Sequence, residues 1–213
     1  MTRTRSLTMQ TATVLCALLA ARAAVSASAA EATPRIALAP TSHLMLKGKS
    51  TLHDYASTAT RMELAVELVD RLPAGASPLA RLAAPGAVKS IVLTIPVEAM
   101  KSEKNGLDKN MYKALKSAAN PNIVFRLTSP ATATTAEGAT FHVAGQLELA
   151  GQAQPVEVDV RASETPEGIV LEGSKSLLMS DYGIKPPTMF LGTLRTDDRV
   201  VVEWRLVLTN DGF

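Results

Sequence analysis

Apolar and polar residues alternate with a period of two along most of the chain beyond residue 42. This period is typical of β-strands that bury one face, because successive side chains of a strand point to opposite sides. Eight segments follow the pattern, and we predict a strand for each of them: 43–47, 62–68, 90–95, 122–127, 141–149, 156–161, 169–179 and 200–209. The chain is therefore predicted to be all-β.

Polar or glycine-bearing stretches of hairpin length separate several of these segments. They lie at 132–138, 150–152, 165–168 and 196–198, where we predict turns. The longer connection at 72–86 is rich in Ala and Pro, which indicates a surface loop or a short helical excursion.

One helix is predicted, at about 107–118. Its apolar residues recur at helical spacing, while lysines occupy the opposite face. These apolar residues are Leu107, Met111, Leu115 and Ala118. Asn120 and Pro121 follow, and the proline is expected to stop the helix.

Eight antiparallel strands with one apolar face must bury that face and protect their edges, and closure into a barrel achieves both. We therefore predict an eight-stranded antiparallel barrel with the helix packed against it, and a two-sheet sandwich is the alternative. An outer-membrane barrel would need two girdles of aromatic residues. The chain has three Tyr, four Phe and one Trp, which are too few for that arrangement.

The interior of an eight-stranded barrel is just wide enough to be filled by side chains or to hold one slim ligand. The apolar phase of the predicted strands supplies the candidate interior residues. They are Leu46, Leu64, Val66, Leu93, Ile95, Phe125, Phe141, Val143, Met179 and Trp204. From the pattern alone, a packed core and a ligand-binding cavity are both left open.

A first polar run, His53-Asp54-Tyr55, follows the first predicted strand. A neutral histidine can donate a hydrogen bond to the adjoining carboxylate and so fix a strand corner. We favour this structural role over a catalytic His–Asp pair, because no nucleophile of a known pattern accompanies it and buried polar groups commonly serve structure alone.

A second polar run, Asp181-Tyr182-Gly183, follows a long predicted strand. Gly183 suggests a positive φ or a bulge, and the two prolines that come after it would end the strand pairing. We interpret this run as a bend at the rim of the barrel, in preference to a ligand portal.

The sequence contains no pattern that predicts catalysis, a metal site or a cofactor. Its three histidines are dispersed, and HExxH, CxxC, GxGxxG and GxSxG are absent. Outside residues 1–30 there are 19 basic and 20 acidic side chains, which predicts no positive surface for nucleic acid. We expect a protein that is not an enzyme; a hydrolase or isomerase using His53 and Asp54 is the third-ranked alternative.

Residues 1–30 have the features of a secretory signal. Arg3 and Arg5 form a cationic start, and an apolar run follows at 13–21. Small residues at 27–30 then fit a cleavage site. We therefore expect this segment to be removed during export.

Arg22 ends the apolar run too early for a membrane anchor, which needs ~20 apolar residues. We expect the product to be a single domain at 31–213, periplasmic or secreted, without an integral membrane span. Cys16 is the one cysteine and lies in the leader, so the mature chain would form no disulfide.

Several runs of residues, in order along the chain, resemble the YceI-like family of polyisoprenoid-binding proteins. The runs are 42–55, 93–97, 100–102, 107–116, 120–125, 145–156 and 180–184. The resemblance extends over roughly residues 36–209, which is nearly all of the expected mature chain.

The resemblance implies a lipocalin-like, eight-stranded barrel with one helix beside it, in agreement with the elements predicted from the pattern. It also implies an exported, cofactor-free protein that holds an isoprenoid, a quinone-like lipid or another long-chain lipid in its interior, as a carrier or store. A filled barrel that serves as a protein-interaction or stress-related module is the alternative. No nucleic-acid partner is expected, and a homo-oligomer is left open.

Overall fold

The strands of the computed structural model follow the period-two segments of the sequence. The structure describes residues 36–69, 75–129, 132–135, 139–189 and 194–209, which belong to one compact unit. The expected leader at 1–30 lies outside the described residues.

The described part of the chain contains twelve strands and two α-helices. The strands are β1 (His43–Ser50), β2 (Tyr55–Ala59), β3 (Glu63–Leu68), β4 (Val88–Pro96), β5 (Met100–Lys101), β6 (Asn122–Leu127), β7 (Thr132–Thr135), β8 (Ala139–Leu149), β9 (Gln152–Thr165), β10 (Gly168–Leu178), β11 (Thr188–Met189) and β12 (Leu194–Leu208). The helices are α1 (Pro78–Leu82) and α2 (Asn105–Ala114). All eight predicted strands are present, and the four others (β2, β5, β7 and β11) are short.

Ten strands form one antiparallel path in the order β3-β4-β6-β8-β9-β10-β12-β1-β2-β5, with β7 on β8 and β11 on β12. The sheet curls because β5 follows β4 after the single 3₁₀ turn Val97–Ala99, yet pairs with β2 at the far end of the path. Thr60 reinforces this bend, since its N–H and its Oγ1 both donate to the carbonyl oxygen of Ala99 at 2.9 Å. The predicted antiparallel barrel with few helices is confirmed in the form of a curled half-barrel.

Three predicted boundaries are wrong. Residues 196–198 are not a turn but lie inside β12, and residues 132–135 form β7 in place of the start of a turn. The helix predicted at 107–118 ends at Ala114, because Lys116 adopts a left-handed conformation with φ 53° that a helix does not continue through.

The Ala- and Pro-rich connection at 72–86 contains α1, so the predicted short helical excursion is confirmed at Pro78–Leu82. Ser77 caps the helix by accepting the N–H of Ala80 at 3.3 Å. Pro78 occupies the first helical position, where a backbone N–H would have no partner in any case.

The two helices lie at opposite ends of the barrel, which we call the α1 end and the α2 end. At the α1 end, Leu82 packs in a buried cluster with Val88, Phe141, Ile169 and Leu208. This cluster is shielded from solvent, since Ile169 is 0% exposed and Leu208 2% exposed, and several of its residues also border the cavity described below.

At the α2 end, a second cluster joins α2 to two strand corners. Ala114 and Leu115 pack there against Ala150, Tyr182 and Ile184. The candidate site is the space between these two clusters.

Candidate ligand-binding cavity

A cavity of about 600 Å³ occupies the interior of the barrel, and nearly all of its wall is apolar. Its volume lies within the range of about 300–1,000 Å³ that is typical of small-molecule sites. All ten candidate interior residues from the sequence line it: Leu46, Leu64, Val66, Leu93, Ile95, Phe125, Phe141, Val143, Met179 and Trp204. Their role in binding a ligand stays a prediction.

Three aromatic rings line the cavity, and each lies over a glycine on a neighbouring strand, where any other residue would place a side chain. The pairs, with the distance from a Cβ atom built on the glycine to the nearest atom of the aromatic side chain, are Gly48–Tyr55 (2.2 Å), Gly145–Phe125 (2.3 Å) and Gly173–Trp204 (2.4 Å). Because each ring covers a glycine, it lies against the wall and leaves the interior open. This arrangement explains how a small barrel keeps a cavity although large side chains point inward.

Sequence reasoning missed the part of the wall that α2 supplies. Leu107, Met111 and Leu115 border the cavity. These residues share the apolar face that predicted the helix, so the signal was present. An apolar helix face shows that the helix packs on something, but not on which surface. The position of these three residues in the cavity wall was therefore not predicted.

Asp108 fixes the first turn of α2 and is only 4% exposed. Its Oδ1 accepts the Oγ–H of Ser102 at 2.6 Å and the backbone N–H of Ser102 at 2.7 Å. These hydrogen bonds hold the pKa of Asp108 below its usual value despite its burial, and the bond from the Ser102 hydroxyl has the larger effect. The helix is thereby attached to the chain that leads out of β5.

Tyr112 attaches the same face of α2 one turn further along the helix. Its hydroxyl donates to the carbonyl oxygen of Met100 at 2.9 Å and accepts from Nζ of Lys101 at 2.7 Å. The hydrogen bond to Tyr112 raises the pKa of Lys101. Because both contacts lead to β5, α2 is held beside the bend that curls the sheet.

The corner between β1 and β2 lies at the α2 end of the cavity and differs from the predicted arrangement. Ser50 Oγ donates to the carbonyl oxygen of His53 at 2.8 Å and accepts the N–H of His53 at 3.3 Å. The Nδ1 atom of His53 lies 3.1 Å from the main-chain oxygen of Asp54, and not against its carboxylate. A serine hydroxyl therefore closes this corner in place of a His–Asp side-chain pair.

Tyr55 follows this corner and adds a polar group to the rim of the cavity. It lies directly opposite Gly48 on β1 and covers it. Burial raises the pKa of the Tyr55 hydroxyl, and the negative charge of Asp197 adds to this effect.

The second predicted corner is a 3₁₀ turn at Met179–Tyr182, and the expected positive φ of Gly183 is confirmed at 63°. Ser180 holds the turn against β12, since its N–H and its Oγ–H donate to the carboxylate of Asp198 at 2.9 and 2.6 Å.

Tyr182 closes the α2 end from this corner and is 2% exposed. Burial raises the pKa of its hydroxyl, with a smaller effect from the charge of Asp181. The run Asp181-Tyr182-Gly183 is thus a packed bend, as the sequence indicated.

Within the described residues, no three His, Cys, Asp or Glu side chains are grouped to hold a metal ion. No helix in that part of the chain is both long and apolar enough to cross a membrane.

The fold and the cavity define the class of this protein as an antiparallel β-barrel with an apolar interior. The YceI-like domain family matches residues 42–208, which is most of the chain. The chain therefore belongs to the YceI-like family, and the resemblance seen in its sequence is confirmed.

Solved structures share this fold. Burkholderia cenocepacia BcnA is similar with a TM-score of 0.58 at 16% identity, over 78% of this chain and 95% of its own. A polyisoprenoid binding domain from Saccharophagus degradans has a TM-score of 0.58 at 13% identity, over 83% of this chain and 98% of its own. The Campylobacter jejuni YCEI protein has a TM-score of 0.51 at 13% identity, over 72% of this chain and 82% of its own.

At identities this low, the likeness to solved structures establishes the fold alone. No curated protein sequence matches this chain.

Proposed function

We propose that this chain is an exported, non-enzymatic barrel that holds one isoprenoid or other long-chain lipid and acts as its carrier or store. The observation that carries the proposal is the cavity of about 600 Å³ with an almost wholly apolar wall. Such a wall has few groups that would recognise a polar ligand, and it matches a hydrocarbon over its whole surface.

The shape of the cavity suits an elongated chain. Its lining extends along β10 from Leu171 to Leu177, which is about 20 Å at roughly 3.3 Å per residue. Removing hydrocarbon from water is favourable by about 25 cal/mol per Å² of surface. A long tail therefore binds through contact area, without a set of matched hydrogen bonds.

Two further observations support the proposal. The Saccharophagus degradans relative of the same fold is a polyisoprenoid binding domain, which favours an isoprenoid among long-chain lipids. The cationic, apolar and small-residue pattern of residues 1–30 supports export to the periplasm or the exterior.

The test is to produce the full chain in an exporting bacterial host, purify it without detergent, and extract it with organic solvent for mass spectrometry. We expect one equivalent of an isoprenoid or similar lipid, and an intact protein mass that lacks about 30 N-terminal residues. A barrel that is empty as purified, and stays empty after incubation with isoprenoids, would refute lipid binding and favour the protein-interaction module.

A further inference from the structure

The wall of the barrel is split between β9 and β10. The two strands pair only as far as Glu172 and Arg161. Beyond these residues β9 keeps its pairing with β8 down to Gln152, and β10 keeps its pairing with β12 down to Leu178. The stretch where the two strands are not paired, residues 152–160 and 173–178, is what we call the wall split. It therefore lies inside the sheet and not at a frayed edge.

An outer groove lies over the wall split and has a volume of about 670 Å³. Glu157 and Arg199 are among the residues that line it. Val156, Lys175 and Leu177 border both this groove and the internal cavity. The wall split is thus the place where the apolar interior and the polar outer surface share one boundary.

Lys175 occupies the wall split. It lies on the inward phase of β10, two residues from Gly173 and two from Leu177. Its Nζ donates to the carbonyl oxygen of Glu157 on β9 at 2.7 Å, across the gap. A carboxylate would be the usual partner of an ammonium group in this position, but Lys175 forms no salt bridge within the described residues.

An ammonium group has three N–H donors, and the hydrogen bonds of the described residues use one of them. The contact with Glu157 is exposed, so the other two donors face the groove or the cavity boundary, where water can be displaced from them. Two donors are therefore available to an oxygen atom of a ligand at the boundary of the cavity.

A lipid whose tail fills the cavity must place its polar end where donors or water are available. At the α2 end the cavity is also lined by the cationic residues Lys104 and Arg195 and by His53. Helix α2 itself lies at that end, attached through Asp108 and Tyr112. The wall split offers a donor that already borders the interior, together with an open groove beyond it. The geometry therefore favours the wall split over the α2 end.

We propose that the head group of the bound lipid lies in the wall split, and that Lys175 donates hydrogen bonds to its phosphate or carbonyl oxygen. This inference rests on the proposed function, because it requires that the tail of a lipid occupies the cavity. The side chain of Lys175 then selects lipids that carry an acceptor oxygen at one end over pure hydrocarbons of the same length.

The test compares three probes of equal chain length: a prenyl phosphate, a prenylquinone and the prenyl hydrocarbon. Binding to the exported protein is followed by the emission of Trp204, the single tryptophan. In Lys175→Met we expect affinity for the phosphate and the quinone to fall about tenfold to hundredfold, as for loss of a hydrogen bond to a charged group. Affinity for the hydrocarbon should stay unchanged, and Lys175→Arg should restore most of the affinity for the phosphate.

Two matched lysine variants serve as controls. Lys47→Met removes an ammonium on the outer face, where it pairs with Glu203 at 2.6 Å. Lys104→Met removes the lysine that borders the cavity at the α2 end. Lys47→Met should bind all three probes like the parent protein, and Lys104→Met should show no loss that is selective for the phosphate and the quinone. If circular dichroism shows that Lys175→Met is unfolded, Lys175→Gln is used in its place. Its loss of affinity should be greatest for the prenyl phosphate.

Three outcomes would overturn the inference. An equal loss for all three probes in Lys175→Met would show that the side chain only packs the wall. A selective loss in Lys104→Met, with none in Lys175→Met, would place the head group at the α2 end. If the parent protein binds none of the probes, the proposed function itself fails, and this result is distinct from the other two.

Discussion

The indole of Trp204 lies over the backbone of Gly173, the residue directly opposite it on β10. A Cβ atom at Gly173 would come within 2.4 Å of the ring and within 2.8 Å of the carbonyl oxygen of Asp159. The ring can therefore lie against the wall only because this residue is glycine. The same relationship holds for Tyr55 over Gly48 and, diagonally, for Phe125 over Gly145.

Gly173→Val tests whether this relationship keeps the cavity open. The new side chain displaces the indole into the interior, so we expect a loss of about 1–3 kcal/mol in the free energy of unfolding. We also expect a shift in the emission of Trp204. Ser174→Val, one residue on and on the exposed face, is the control. Equal stability and equal emission in the two variants would mean that Gly173 is not needed for the position of the ring.

Val143→Trp tests whether a ligand occupies the interior. Val143 lines the cavity and is 8% exposed. An indole there takes up space that the lipid tail needs, so the variant should fold but carry no lipid after detergent-free purification. Gln146→Trp adds the same group on the exposed face of the same strand and should carry lipid like the parent protein. Unchanged lipid content in Val143→Trp would place this residue outside the ligand site.

A third prediction separates the packed end of the barrel from its cavity. Ile169→Ala removes a side chain that is 0% exposed in the buried cluster at the α1 end and does not line the cavity, and should cost about 2–5 kcal/mol. Leu93→Ala removes a side chain that partly faces the cavity, and should cost less, roughly 1–2 kcal/mol. Urea unfolding of the lipid-free variants measures both. Equal costs would indicate a core that is packed throughout.

Asp108 gives a prediction about pH. Its pKa is lowered in the folded protein, so its ionised form favours folding. That contribution is fully present above the unfolded-state pKa of about 4 and is lost as the pH falls through the lower folded-state pKa. Asp108→Asn should remove this dependence.

The measurement is thermal unfolding between neutral and strongly acidic pH, with Asp54→Asn at the exposed corner as the matched control. The parent protein and the control should lose stability together at acidic pH, while Asp108→Asn should lose less. Parallel pH profiles for all three proteins would show that Asp108 carries no linked stability.

Much of the barrel wall could be predicted from the sequence, because alternation identifies both a strand and the side that it buries. All ten interior residues line the cavity for this reason. Strand β2 was missed because Tyr55–Ala59 consists mostly of small residues, which alternate in no visible way. Its place in the sheet depends on its pairing with β1, a tertiary property.

The choice between a filled barrel and a cavity could not be made from the sequence. It depends on which residues face each other across strands, such as Gly173 and Trp204, and this register is set only in the folded sheet. The wall split could not be predicted from the sequence for the same reason. Val156 and Leu177 both continue the apolar alternation of their strands, although the strands have separated at that point.

The central claim is that the cavity holds one long-chain lipid. Native mass spectrometry of the exported protein, purified without detergent, tests it most directly, with Val143→Trp and Gln146→Trp measured beside it. We predict one added mass of a single isoprenoid-type lipid on the parent protein and on Gln146→Trp, and none on Val143→Trp. A bare protein mass for all three, unchanged after incubation with prenyl lipids, would contradict the claim.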